Sequence, residues 1–284
     1  MADLEGQNGP LFAIGGHEDK EGRKVILDAI AKHVAGGRLV IATVASHRPE
    51  GYFDNYCAAF GALGVTDLVE LYVSERGEAV DGEIGRALAD AAGVFFTGGD
   101  QLRIVSQIGD TPIEAMVRDI HRRGGVIAGT SAGASMQGDT MLVAGSGSES
   151  HRIGDLHMAP GLALIPDVII DQHFAERGRI GRLLGAVAHN PRLLGIGIDE
   201  DTAIKVTGST FEVLGSGGVT IVDAARVTRS NIAEAKPERV LSLYDVTLHA
   251  LSAGDRFDLE TRRPLGCEDD QREQKVEGTG NDTG

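Results

Sequence analysis

Apolar residues come in short unbroken runs through the first two thirds of the chain, and between the runs they recur every three or four positions. Pro10 to Gly16 (PLFAIGG), Arg38 to Ser46 (RLVIATVAS), Asp67 to Val73 (DLVELYV) and Ala92 to Gly99 (AGVFFTGG) have the first pattern and predict strands buried on both faces. Lys24 to Val34 (KVILDAIAKHV), Asn55 to Leu63, Gly82 to Ala92 and Thr111 to Arg123 have the second and predict amphipathic helices. A strand that is apolar on both sides needs cover on both sides, and the helices between the runs supply it. The alternation therefore predicts an α/β fold, a mostly parallel sheet sandwiched by helices.

The last third changes character. Thr202 to Val206, Thr210 to Leu214 and Val219 to Val222 are short, rich in β-branched residues and separated by Gly/Ser turns, the pattern of antiparallel hairpins. Val240 to Leu251 predicts a further strand or strand pair. No linker composition separates the two parts, so residues 1–266 are expected to form a single α/β domain with a C-terminal β-hairpin extension. Residues 267–284 are polar, acidic and Gly-rich, cannot bury enough apolar surface to fold, and are expected to be a disordered tail. Gly145 to Ser150 (GSGSES) is flexible by composition.

Composition narrows the function. With 4% aromatic residues, no Trp and a net charge of −15, the chain lacks the stacking platforms and basic patches of nucleic-acid binders. Cys57 and Cys267 form no metal or redox motif and are expected to be free thiols in a reducing compartment. The acidic, polar start MADLEGQNGP has neither the basic nor the apolar region of a signal peptide. No apolar run reaches the ~20 residues that span a bilayer. A cytoplasmic protein without membrane contact is the expectation.

Candidate chemistry concentrates at strand ends. Gly124 to Met136 reads GGVIAGTSAGASM, so a predicted strand, Val126-Ile-Ala128, runs into Gly129-Thr-Ser-Ala-Gly133. This is the G-x-S-x-G of a nucleophile elbow, in which small neighbours let the backbone turn sharply and leave the serine oxygen exposed at the carboxyl edge of the sheet. A glycine-rich turn or a phosphate cradle shares the spacing, but the G-x-x-x-x-G-K-[ST] of a nucleotide loop is absent. The N–H of Ala132 would point at a developing oxyanion.

A serine nucleophile needs a base, and the base needs a group to orient it. His33 and His121 sit on predicted helices among charged neighbours, His151 and His157 lie in a loop, and His189 precedes the helix-ending Asn190-Pro191. His173 differs, because it follows the apolar run Val168-Ile-Ile170 and so falls on the same edge as Ser131. The run Leu194 to Ile198 ends in Asp199-Glu200-Asp201; spacing does not choose among the three carboxylates. Gly98-Gly99, at the end of another strand, can bring backbone N–H groups close to a ligand.

Taken together, TGGDQ (97–101), GTSAGAS (129–135), DQHFAERGRIGRL (171–183) and GIGIDEDTA (195–203) resemble the cyanophycinases, family S51 serine peptidases that degrade the storage polymer cyanophycin. The order nucleophile, histidine, glutamate is also similar to that of class I glutamine amidotransferases. The resemblance implies their flavodoxin-like fold, with Ser131 as nucleophile, His173 as base, Glu200 as orienting acid, and Gly99 and Ala132 as oxyanion hole. It places Gln101, Asp171, Gln172, Arg177, Arg179 and Arg182 around the substrate, and it implies a homodimer that uses no cofactor or metal. The arginines fit that reading, since three of them opening a helix oppose its macrodipole unless they meet an anion. Cyanophycin is poly-aspartate with arginine on each β-carboxyl, so its fragments carry both charges; Asp171 is the candidate for the guanidinium side and the arginines for carboxylates. The alternatives are an aspartyl dipeptidase of the same fold and a binding module without catalysis.

Overall fold

A computed structural model of the chain describes residues 8–80, 82–145, 151–233, 236 and 238–266. The acidic tail predicted at 267–284, with Cys267, and residues 146–150 of the GSGSES stretch lie outside the described residues.

The predicted parallel sheet is present. β1 (Leu11–Ile14), β2 (Arg38–Ala42), β3 (Leu68–Leu71), β4 (Ala91–Phe96) and β5 (Val126–Thr130) run parallel in the spatial order β1-β5-β4-β2-β3. α1 (Val25–Val34) and α2 (Tyr52–Gly61) cover one face, and α3 (Gly82–Leu88), α4 (Gln101–Ile108) and α5 (Pro112–Arg122) cover the other. The pleat explains why the strands read as continuous apolar runs: Phe12 and Ile14 of β1 pack under α1, while Leu11 and Ala13 enter the opposite core. Phe60 of α2 and Phe95 of β4 are fully buried with ring centroids 5.5 Å apart, a pair whose side chains each contribute roughly 1.5–3 kcal/mol by leaving water. Asp100 caps α4, its carboxylate accepting from Leu102 N at 2.8 Å, and Pro112 opens α5, where its missing N–H costs nothing.

After β5 the chain passes through α6 (Ala132–Ser135) and builds a second sheet. It begins with β6 (Thr140–Ala144), β7 (His157–Pro160) and β8 (Val168–Gln172), crosses over through α7 (Ile180–His189), and continues with β9 (Leu194–Ile198). The chain then alternates between the sheets. β10 (Thr202–Thr207) returns to the first sheet, antiparallel to β1, and β11 (Thr210–Gly215) forms a hairpin with it. β12 (Val219–Asp223) pairs antiparallel with β9 in the second sheet. β13 (Arg229–Ser230) and β14 (Leu243–Tyr244) pair with each other, β15 (Thr247–Leu251) extends the second sheet, and β16 (Arg256–Asp258) and β17 (Arg263–Leu265) extend the first. The result is a nine-stranded and a six-stranded sheet.

The α/β class stands, with two differences from the pattern. There are two mixed sheets where the runs predict one, and the short C-terminal strands are shared between the sheets instead of forming an extension. Periodicity reports which faces a strand buries but not which partner it pairs with, and the pairings here span long stretches of sequence. One core joins the sheets, containing Ala13, Phe96 and Ile127 from the first, Ile170, Ile196 and Ile198 from the second, and Ala132 and Ala134 of α6. α7 seals the outer face of the second sheet through Leu183 and Val187.

Candidate active site

Five strand ends meet where the two sheets join. Ser131 follows β5, Gly15 to His17 follow β1, Gly98 and Gly99 lie just beyond β4, His173 follows β8, and Glu200 lies just beyond β9. Backbone hydrogen bonds fasten this junction. Ser131 N–H donates to Ile14 O at 2.9 Å, His173 N–H to Gly15 O at 2.8 Å and Asp201 N–H to Gly16 O at 2.8 Å. The end of β1, Ile14 to Gly16, thus holds the serine from one sheet and the histidine and acid loop from the other. Gly16 has φ 108°, and a Cβ there would sit 2.2 Å from His173 Cε1, so only glycine lets the imidazole pack against that turn.

Ser131 has φ 53° and ψ −108°, a conformation that L residues adopt only under strain. Its glycine neighbours are required by contact. A Cβ on Gly129 would meet the Gly133 carbonyl oxygen at 2.1 Å, and one on Gly133 would meet the Phe96 carbonyl oxygen at 2.4 Å. The turn aims the serine at the histidine: Ser131 Oγ lies 2.9 Å from His173 Nε2, and His173 Nδ1 lies 2.6 Å from Glu200 Oε1.

Electrostatics suit proton transfer along this line. Burial pushes the His173 imidazolium down from its ordinary pKa; the hydrogen bond it donates to Glu200 works against that shift, and Arg177 adds to it. The ring is therefore neutral, able to accept a proton, at neutral pH. Partial burial acts to raise the Glu200 carboxyl, but the hydrogen bonds from His17 and His173 outweigh it and hold the group below the usual carboxylate range.

The structure distinguishes the three carboxylates that spacing left equivalent. Asp199 accepts from the N–H groups of Ala175 and Gly218, both at 3.0 Å. Asp201 accepts from Asp19 N–H at 2.8 Å and from the Ser216 hydroxyl at 2.7 Å. These two tie the loop down, and Glu200 between them faces His173. On the opposite side of Ser131, the place of a Cβ on Gly98 lies 3.5 Å from Ser131 Cβ. Gly99 has φ 145° and no room for a side chain, since a Cβ would meet Ala45 O at 2.5 Å. Among the described residues, neither the Gly99 nor the Ala132 N–H donates to a backbone carbonyl, which leaves both for an incoming oxygen.

The expected substrate side is mostly buried. Asp171 has no exposed surface, and its two oxygens are taken by Arg182 through Nε at 2.9 Å and through Nη2, and by Arg179 Nη1 at 3.2 Å. Asp171 is the candidate for a substrate guanidinium, and in the chain by itself the groups that meet it are Arg179 and Arg182. Arg179 also donates to the Gln172 carbonyl at 2.6 Å and to Gln172 Oε1 at 2.7 Å. Burial lowers the Arg179 pKa to about 10, which leaves it charged at neutral pH. Gln101 Nε2 donates to Leu142 O at 2.7 Å and so ties α4 to β6. Arg177 is exposed and makes no ion pair among the described residues. Because Asp171 is the carboxylate between two buried guanidiniums, Asp171→Asn is expected to cost about 3–5 kcal/mol of stability, the penalty for stranding buried charge. The urea midpoint of the variant against the parent measures this.

Two residues that the sequence reading passed over belong to the site. His17 Nδ1 lies 2.8 Å from Glu200 Oε2, and its ring centroid is 5.2 Å from that of His173. Glu18 is buried and accepts from the Tyr56 hydroxyl at 2.5 Å and from Thr130 Oγ1 at 2.6 Å, with Lys20 Nζ at 2.8 Å. It therefore braces Thr130, the residue before Ser131. The available signal was position, since both follow the Gly-Gly end of β1 on the edge that carries Ser131.

The sequence model of peptidase family S51 matches residues 11–214. A curated cyanophycinase from Geminocystis herdmanii (strain PCC 6308) is 40% identical over 260 residues, covering 90% of this chain and 95% of its own. Another, from Trichormus variabilis, is 39% identical over 259 residues, covering 90% of this chain and 87% of its own. Among solved structures, that of a peptidase from an acI-B1 Actinobacterium has a TM-score of 0.64 at 20% identity, covering 89% of this chain and 98% of that one. A putative peptidase E from Listeria monocytogenes has a TM-score of 0.52 at 16% identity, covering 74% of this chain and all of that one. At such identities the likeness is one of fold.

Proposed function

The chain belongs to peptidase family S51 and is a serine peptidase, and we propose that Ser131, His173 and Glu200 are the triad with which it degrades cyanophycin to β-aspartyl-arginine. The observation that carries this reading is the hydrogen-bonded line from Ser131 Oγ through both ring nitrogens of His173 to Glu200, at 2.9 and 2.6 Å. His173 takes the Ser131 proton as the serine oxygen attacks an aspartyl backbone carbonyl. The tetrahedral oxyanion is held by the N–H groups of Gly99 and Ala132. His173 then protonates the leaving amine, and water, activated by the same ring, frees the acyl group. Glu200 keeps the imidazole in the tautomer that presents a free Nε2 and stabilises the imidazolium formed at each step. The chain's own groups carry every step.

Charge supports the substrate class. Arg179 and Arg182 together carry one positive charge more than Asp171 neutralises, and the exposed Arg177 adds another beside His173. These guanidiniums suit the carboxylates of an aspartate backbone, while Glu176 and Glu200 on the same side offer negative charge. The reading extends to a homodimer in the cytoplasm. Its support is the family resemblance for the dimer, and for the compartment the free Cys57 and the lack of a membrane-crossing helix among the described residues.

The competing activity is that of an aspartyl dipeptidase. Steady-state rates on a cyanophycin suspension and on Asp-Xaa dipeptides separate the two. The polymer is expected to be preferred in kcat/KM by at least about 100-fold, the discrimination one well-placed set of contacts supplies. The reverse preference would replace the substrate and leave the triad.

A further inference from the structure

His17 performs no step in acyl transfer, yet it is built into the site. It stands at φ 48° directly after the Gly15-Gly16 turn, with Nδ1 2.8 Å from Glu200 Oε2. Its ring meets that of His173 edge to face, at 74° and 5.2 Å between centroids. One ring nitrogen of each histidine and a carboxylate oxygen of Glu200 all lie within 4.8 Å of one another. Two imidazoles and one carboxylate are a donor set that zinc takes in three-ligand sites, with bonds of about 2.0–2.2 Å and a water in the fourth position.

We propose that His17, His173 and Glu200 form a binding site for a zinc-type transition-metal ion, and that the bound ion shuts the triad. The three ligands sit on three strand ends already fixed by the hydrogen bonds of His173 N–H to Gly15 O and Asp201 N–H to Gly16 O, so only side chains need to move. The His17 side chain is 73% exposed; it is free to close by the ångström or so that separates hydrogen-bonded from metal-bound distances, and its open side admits the fourth, water ligand. Binding forms one N–metal bond to each imidazole and one O–metal bond to the carboxylate; each neutral ring binds through its unprotonated nitrogen and keeps its proton on the other, and a ring that starts as imidazolium gives one proton to solvent. With one His173 nitrogen and Glu200 on the metal, the line that moves the Ser131 proton is broken. Hard cations such as Mg²⁺ prefer all-oxygen shells and are not expected to bind.

The site itself does not depend on peptidase chemistry; its inhibitory effect rests on the triad reading. The test is isothermal titration of Zn²⁺ into the full-length Ser131→Ala protein, which keeps all three ligands. Alongside it, hydrolysis by the Ser131 enzyme is followed in zinc buffers. One equivalent is expected to bind, Mg²⁺ is not, and His17→Ala added to Ser131→Ala is expected to weaken zinc binding by at least about tenfold, the smallest loss that disturbing a metal's supporting partners causes. Glu200→Gln in the same background is expected to do likewise. In the rate assay zinc inhibits and a chelator restores, and His17→Ala, compared with its own zinc-free rate, needs correspondingly more zinc. Absence of zinc binding, or equal affinity with His17→Ala, overturns the proposal. Zinc binding that His17→Ala weakens, in a protein that hydrolyses nothing, supports the metal site and removes the peptidase reading instead.

Discussion

Ser131→Ala is expected to lower kcat by on the order of 10⁶-fold, the loss seen when a triad serine is removed. The change deletes one oxygen and leaves its surroundings in place. The Ser131 N–H bond to Ile14 O is a backbone contact and survives. Gly129 and Gly133 still permit the turn, and alanine at φ 53° is strained no more than serine. Polymer binding and the melting temperature therefore stay near the parent's while product release stops. Some rate enhancement persists, because N–H groups placed for the oxyanion and substrate positioning work without the nucleophile, at about 10³–10⁴-fold over water. Product release with a time course measured to the detection limit checks this. A variant that keeps its rate would move the nucleophile elsewhere in the chain.

The second large effect is that of Glu200→Gln, for which kcat is expected to fall by about 10⁴-fold with little change in stability. The amide matches the carboxylate in size, but it can turn an NH₂ group toward His173 Nδ1 and so favour the tautomer whose Nε2 carries the proton. Such a ring cannot accept from Ser131. The negative charge that stabilises the imidazolium is lost as well. Asp199→Asn and Asp201→Asn serve as contrasts. Their carboxylates hold Ala175, Gly218, Asp19 and Ser216 and do not touch His173. They are expected to lower the melting temperature more than kcat. Rates and thermal melts on the three variants distinguish the acid that works from the acids that anchor.

Much of this was legible in the sequence, and the parts that were not share a physical cause. Buried strands, covering helices, the elbow at Ser131 and the placement of His173 follow from local pattern, because burial on both faces and a sharp small-residue turn each leave a mark within a few residues. Which carboxylate faces the histidine depends on how Asp199, Glu200 and Asp201 turn about one short loop, and their spacing is the same for all three outcomes. The two-sheet arrangement depends on pairing between distant strands, β10 with β1 and β12 with β9. His17 comes to Glu200 from the far side of the chain, and its trace in the sequence is its place after the Gly-Gly end of β1 and nothing more. Asp171 is a different case, since the signal was present. A carboxylate inside the fully buried strand Val168–Gln172 must find cations, and the arginines that reach it lie eight and eleven residues on.

The most direct measurement is mass spectrometry of the soluble products formed when the purified protein is incubated with insoluble cyanophycin. The account predicts β-aspartyl-arginine as the released species, absent when the protein is omitted and absent with Ser131→Ala. An intact polymer, with the same preparation cleaving Asp-Xaa dipeptides, would contradict it.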